Sequence, residues 1–228
     1  MKRLALFLTI ALLSVAAASA SAQMARSGNI NLLPMYGGFE KSRALRKADA
    51  EFLAFCDREF PSRKEAAAHH AAKGWDYFYA NDYNTAIKRY NQAWLLDSTN
   101  ASAYWGFGVI EGRRGHSSEA IRYFQLSLRH NPANRRLLVD MGQALLDRYV
   151  ITHHLPDLDA AMQQFQEYLT DTSDAKGTTN AYMRLAAAYY FKHDYANAWK
   201  YVDQTKALDA TVLENWPLLA ELQKAAPR

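Results

Sequence analysis

Glycine recurs at Gly74, Gly108 and Gly142, two steps of 34 residues, and the residues around each one recur with it. Twelve places after Gly74 stands Ala86, followed by Tyr90 and Ala93; twelve after Gly108 stands Ala120, followed by Phe124, Ser127 and Pro132. Ala186 restarts the pattern, with Tyr189 and Ala198 beyond it. A period of this length belongs to chains built from stacked copies of one small unit, none of which buries its apolar face alone. The small residues have a physical reason. They mark where two helices cross, so that the backbones approach closely and large neighbours such as Tyr104 fill the flanks.

Four copies can be laid out. Residues 67–100 carry His70, Lys73, Gly74, Tyr77, Ala86 and Tyr90, and residues 101–134 carry Tyr104, Phe107, Gly108, Ala120, Phe124 and Pro132, with Glu111 at the place of Tyr77. Residues 135–173 carry Leu138, Met141, Gly142, Leu145, Ala161 and Phe165, and residues 179–212 carry Tyr182, Leu185, Ala186, Tyr189 and Ala198. Over 67–212 this punctuation resembles the tetratricopeptide repeat, a helix–turn–helix unit. The resemblance implies an all-α, right-handed superhelical solenoid of four repeats, with an N-terminal helix before it and a capping helix after it. In the third copy Gly142 and Ala161 are 19 places apart instead of 12, which reads as an inserted loop over 150–157. Tyr168 stands where Ala93 and Ser127 stand, and that bulk suggests a splayed third pair.

The first 22 residues read as a cleavable export signal: basic Lys2 and Arg3, an apolar run from Leu4 to Ala18, and small Ala20, Ser21 and Ala22. The apolar run is shorter than a spanning helix needs. A periplasmic or secreted location follows as the expectation. Lys2 and Arg3 would leave with the signal, so the formal charge falls from +4 to +2. Acids and bases alternate throughout, which gives nucleic acid no basic face to bind. Cys56 is the only cysteine, so no internal disulfide can form. It lies in the helical series Leu45, Ala48, Phe52, Phe55, Cys56 and reads as a buried, inert thiol.

Residues 23–40 hold Gly28, Pro34, Gly37 and Gly38 among Ile30, Leu32, Leu33, Met35 and Phe39. They read as an extended arm that breaks helix but is too apolar to be left in water, and so lies on the body near the first two repeats. An amphipathic helix over 41–60 ends at Pro61, and Ser62 with Glu65 has the capping-box spacing that opens the next helix. Val212, Leu213, Trp216, Leu219 and Leu222 read as a capping helix over 213–225, beginning near Glu214 or kinked at Pro217.

Chemistry finds little support. The adjacent pairs His69–His70 and His153–His154 point apart on a helix and lack ligand spacing. A metal held by His153, His154, Asp157 and Asp159 is an alternative to Asp157 simply capping the next helix. No nucleophile motif is present, and Gly106, Gly108, Gly112 and Gly115 follow no strand, so they read as packing and turn glycines. No enzyme activity, cofactor or metal is expected.

By the resemblance, the first helix of each pair lines a concave face. That stripe carries Ala71, Trp75, Phe78 and Tyr79; then Trp105, Val109, Gly112 and Arg113; then Gln143, Leu146 and Asp147; then Met183, Ala187, Tyr190 and Phe191. Family members that clamp a carboxylate use lysines and asparagines there; Ala71 and Trp75 at those places argue against that mode. Aromatics with an arginine are the types enriched at binding hot spots, so Trp75, Phe78, Tyr79, Trp105, Val109, Arg113, Gln143, Tyr190 and Phe191 form the candidate partner site. The competing view is that these rings pack between repeats. The leading reading is a periplasmic adaptor that holds a peptide or helix of another envelope protein. The alternatives are a structural or oligomer-forming module with a self-filled groove, and a binder of small molecules or metal.

Overall fold

The computed structural model describes residues 29–228, and the signal reading of residues 1–22 lies outside them. Every regular element among the described residues is helical. After α1 (Arg43–Glu59) come four helix pairs in chain order: α2 (Arg63–Tyr79) and α3 (Tyr83–Leu96), α4 (Ala101–Arg113) and α5 (Ser117–His130), α6 (Arg136–Thr152) and α7 (Leu155–Tyr168), and α8 (Ala175–Phe191) and α9 (Tyr195–Leu208). Within the units α2 packs on α3, α6 on α7 and α8 on α9. A final short helix, α10, spans Pro217–Ala225. The chain divides into two compact units, one up to Ile110 and one from Glu111 onward.

Short polar residues start these helices, as their unpaired N–H groups require. Ser62, Asp82, Asp174 and Asp194 accept from the backbone of Glu65, Thr85, Gly177 and Asn197 at 3.0–3.2 Å. The turns inside the pairs reuse one device. Asn81, Gly115 and His193 each take a left-handed conformation, with φ of 61°, 79° and 60°.

The core of the first unit is organised around Tyr90, which is fully buried. Gly74 of α2 and Gly106 of α4 lie on its ring, and a Cβ at either would come within 2.3 Å of it. At the start of the unit, Cys56 of α1 is buried with Ala66, Ala67 and Leu96 under Phe52, Leu53 and Phe60. Burial pushes the Cys56 thiol up, away from the reactive thiolate. The preceding segment is not extended. Asn29–Leu32 forms a 3-10 turn, and Met35, Tyr36 and Gly37 take left-handed conformations at φ 50°, 58° and 67°. The turn swings Tyr36 into burial beside Trp94, with ring centroids 6.3 Å apart. Asn91 of α3 holds the segment by donating to the carbonyls of Asn31 and Leu33 at 3.0 and 2.9 Å.

The second unit corrects two expectations about the third pair. The seven extra residues form no loop over 150–157. They lengthen α6 to Thr152 and start α7 at Leu155, leaving only His153 and His154 between the helices. The extra residues lengthen both helices at the end where they meet, beyond the crossing of Gly142 with Phe165, and so leave that contact in place. Nor is the pair splayed: Phe165 of α7 lies so close to Gly142 of α6 that a Cβ there would come within 2.4 Å of the ring. Tyr168 turns its bulk toward α8, where its hydroxyl occupies the space a Cβ on Gly177 would need and donates to Asp174 at 3.1 Å. Asp157 is likewise no cap. It sits buried inside the first turn of α7 and pairs with Arg148 through two bonds of 2.8 and 2.6 Å.

The open face of the last pair is covered. Leu213 and Leu222 are buried with Ala186, Ala198 and Val202, under Val212, Trp216 and Leu219. Thr211–Leu213 is a 3-10 turn, and the covering helix begins only at Pro217, where a residue without an N–H removes one unsatisfied donor.

Candidate functional site

In the first unit the stripe residues converge. Trp75 of α2 crosses to α4: its indole Nε1 donates to Ser102 Oγ at 2.9 Å, and its ring meets Trp105 edge-on at a centroid distance of 4.7 Å. Tyr90 backs it from below at 5.7 Å. Fixed on three sides, Trp75 offers its remaining surface to Phe78 at 5.5 Å and to Tyr79, which stacks on it at 5.9 Å with planes 29° apart. Tyr79 itself is 75% exposed. One ring of the cluster therefore works as a brace between helices, and the ring one turn later faces solvent on a rigid support. Val109, on α4, is half-buried.

In the second unit the same stripe is ionic. Gln143 of α6 donates its side-chain amide to Asp147 one turn on, and Arg184 of α8 sits near Asp147 and Asp140. Burial raises the Asp147 carboxyl, against the Gln143 bond and the Arg184 charge. Burial lowers the Arg184 guanidinium, against the attraction of Asp140 and Asp147, and exposed Arg113 adds a like charge. Arg184 Nε and Gln143 Oε1 are buried with no hydrogen-bond partner among the described residues. A desolvated guanidinium with unused bonding capacity is a costly feature to keep in a fold.

The remaining stripe residues are engaged elsewhere. Phe191 packs on Tyr149 at 5.7 Å, and Tyr190 packs on Tyr195 at 5.9 Å. Tyr190 and Met183 also lie against the core that includes Leu213 and Leu222, so they belong to the covered end of the unit. The structure thus assembles Trp75, Phe78, Tyr79 and Trp105 as one cluster and Gln143 as part of another, and draws Tyr190 away. Arg184 and Asp140 are the residues that sequence reasoning missed. The signal was present for Asp140: with Gln143 and Asp147 it makes an i, i+3, i+7 face.

The histidines form no metal site. Among the described residues no three His, Cys, Asp or Glu side chains are placed to hold an ion. Asp157, held below the ordinary carboxylate range mainly by Arg148, is paired there; Asp159 is paired with Lys192 at 2.7 Å. His70 is half-buried between Phe52 and Phe60, and burial pulls it down to about 4, so its ring is neutral. No described helix is long and apolar enough to cross a membrane.

Residues 74–115 match the family profile described as a TPR repeat. No curated protein matches the chain. Among solved structures, PilF of Pseudomonas aeruginosa is 19% identical with a TM-score of 0.58, covering 71% of this chain and 69% of that one. MamA is 17% identical with a TM-score of 0.50, covering 85% and 96%. PilW, described as a type IV pilus biogenesis factor, is 15% identical with a TM-score of 0.50, covering 91% and 83%. At these identities the likeness is one of fold.

Proposed function

We propose that this chain, which carries a TPR repeat over residues 74–115 and folds as a series of helix pairs, is a non-enzymatic interaction scaffold of the cell envelope, binding a peptide or helix of a partner on the aromatic cluster of its first unit. One observation carries the reading: Tyr79 lies 75% exposed on a tryptophan that is itself held by Ser102 and Trp105. A solvent-facing ring on a rigid apolar support is what a binding hot spot consists of, because little side-chain freedom remains to be lost on binding. The envelope location rests on Lys2, Arg3 and the apolar run that follows them.

A self-filled groove is the second reading, and the placement of the arm disfavours it. Residues 29–39 are held by Asn91 and Trp94 of α3, whereas Trp75 and Tyr79 stand on α2. The test is comparative capture from an envelope extract with wild type and Tyr79→Ala. A partner retained by wild type and lost by the variant supports the site; equal capture by both refutes it. Mass spectrometry of the native protein tests export, with Gln23 or a residue within two places before it as the expected N-terminus.

A further inference from the structure

At the far end of the second unit, α9, the Thr211–Leu213 turn and α10 line an open cavity of about 620 Å³ with Trp199, Lys206, Glu214 and Trp216 in its wall. The segment after α10 lies on its rim. Trp199 Nε1 donates to the Ala226 carbonyl at 2.9 Å, and the Arg228 guanidinium sits 4.1 Å from the centre of the Trp199 ring. Arg228 also forks onto Asp203, with Nη1 donating to Oδ2 at 2.9 Å and Nη2 donating to Oδ1. An indole face, a carboxylate that receives both arms of a guanidinium, and an indole N–H that takes a neighbouring carbonyl make up a complete arginine-recognition set.

The occupant is lightly held. Arg228 and Pro227 are exposed, and the ion pair with Asp203 is open to solvent, where screening leaves such pairs little strength. It is also incomplete, because Trp216 and Glu214 line the same cavity while the segment's bonds go to Trp199, Asp203 and Gln223. A cavity of this size with two tryptophans and a few converging polar groups fits a ligand site better than a filled joint.

We propose that this cavity is a receptor for an arginine side chain on an extended segment of a partner protein, and that Arg228 is a built-in occupant which the partner displaces. The site is separate from the Trp75–Tyr79 cluster and does not depend on it. Tethering gives Arg228 an effective concentration on the order of millimolar, so a free peptide competes poorly until that side chain is removed.

The test is calorimetric titration of the full chain with the acetylated, amidated pentapeptide Lys-Ala-Ala-Pro-Arg, and with the same peptide ending in lysine. Arg228→Ala frees the Trp199 ring face and Asp203 for the peptide's guanidinium, while the Trp199 N–H is expected to stay on the Ala226 carbonyl. It is expected to bind the arginine peptide at least tenfold tighter than wild type, and the lysine peptide at least threefold more weakly than the arginine one. Adding Asp203→Asn is expected to weaken that binding about threefold, the scale of a solvent-open ion pair. Equal binding by wild type and Arg228→Ala, binding by neither, or indifference to Asp203→Asn would overturn the proposal. So would a wild-type dimer that Arg228→Ala dissolves, since the occupant would then be a second copy. Loss of a cooperative melt in Arg228→Ala would make the side chain a structural clamp and overturn it too.

Discussion

Trp75 and Tyr79 in the first unit stand where Gln143 and Asp147 stand in the second, 68 places or two repeats further on. The backbone is the same, an i, i+4 pair on the first helix of a repeat, and the chemistry is opposite. In the first unit a tryptophan ties α2 to α4 through Ser102 and Trp105, and a tyrosine is left exposed upon it. In the second, a carboxylate that Gln143 bonds lies near a desolvated arginine, and the aromatics next in line, Tyr190 and Phe191, are drawn into packing. The comparison teaches that stripe position alone does not make a residue available. What decides is whether the neighbouring helix uses it.

Trp75→Ala breaks the comparison most severely. It removes a ring packed on four aromatics together with its bond to Ser102, and is expected to cost about 3–5 kcal/mol, the range of large-to-small core changes. Hydrogen exchange should locate the loss in α2, α3 and α4; unchanged protection there would mean that Trp75 braces nothing.

Arg184→Met tests the ionic side. It leaves the partly desolvated Asp147 without its opposing charge, and a cost of about 2–3 kcal/mol is expected in chemical denaturation, the range for an orphaned buried polar group. Adding Asp147→Asn should return part of it. A double variant as unstable as the sum of the singles would show that the two groups do not interact.

His70 gives the first unit a pH dependence of its own. Its pKa is about 4 in the folded chain against 6.5 for the model histidine, so below pH 6.5 the unfolded state takes up a proton that the folded state refuses. Stability is therefore fully present above about pH 6.5 and falls as the pH drops toward 4. His70→Leu should flatten that fall, and a decline of the same steepness in the variant would place its origin elsewhere.

How much of this was legible in the sequence differs by region. Gly74 and Tyr90 were readable because a close crossing needs a small residue opposite a large one, and Ser62 because a helix start needs an acceptor. The third pair misled. Spacing alone counts seven extra residues between Gly142 and Ala161 but does not say that the end of α6 and the start of α7 absorb them as helix. The bulk of Tyr168 signalled a disturbance, yet its direction toward Gly177 is set by a neighbour in the next repeat. Glycine and proline break helix and so give the arm an extended look in sequence, whereas the left-handed turn at Met35 and Tyr36 accompanies the burial of Tyr36 against Trp94. Arg184 and Arg228 were invisible for the same reason: each gains its meaning from carboxylates far along the chain.

Tyr79→Ala has the smallest effect on stability and the most direct bearing on the account. The ring is largely in solvent, so its removal is expected to cost less than about 0.5 kcal/mol while weakening the partner by roughly 2 kcal/mol or more, the hot-spot range. The decisive measurement pairs a thermal melt of this variant with quantitative capture from envelope extract. An unchanged melt with the captured partner lost is the predicted result. An unchanged melt with the partner fully retained would contradict the claim that the aromatic cluster of the first unit is a binding site.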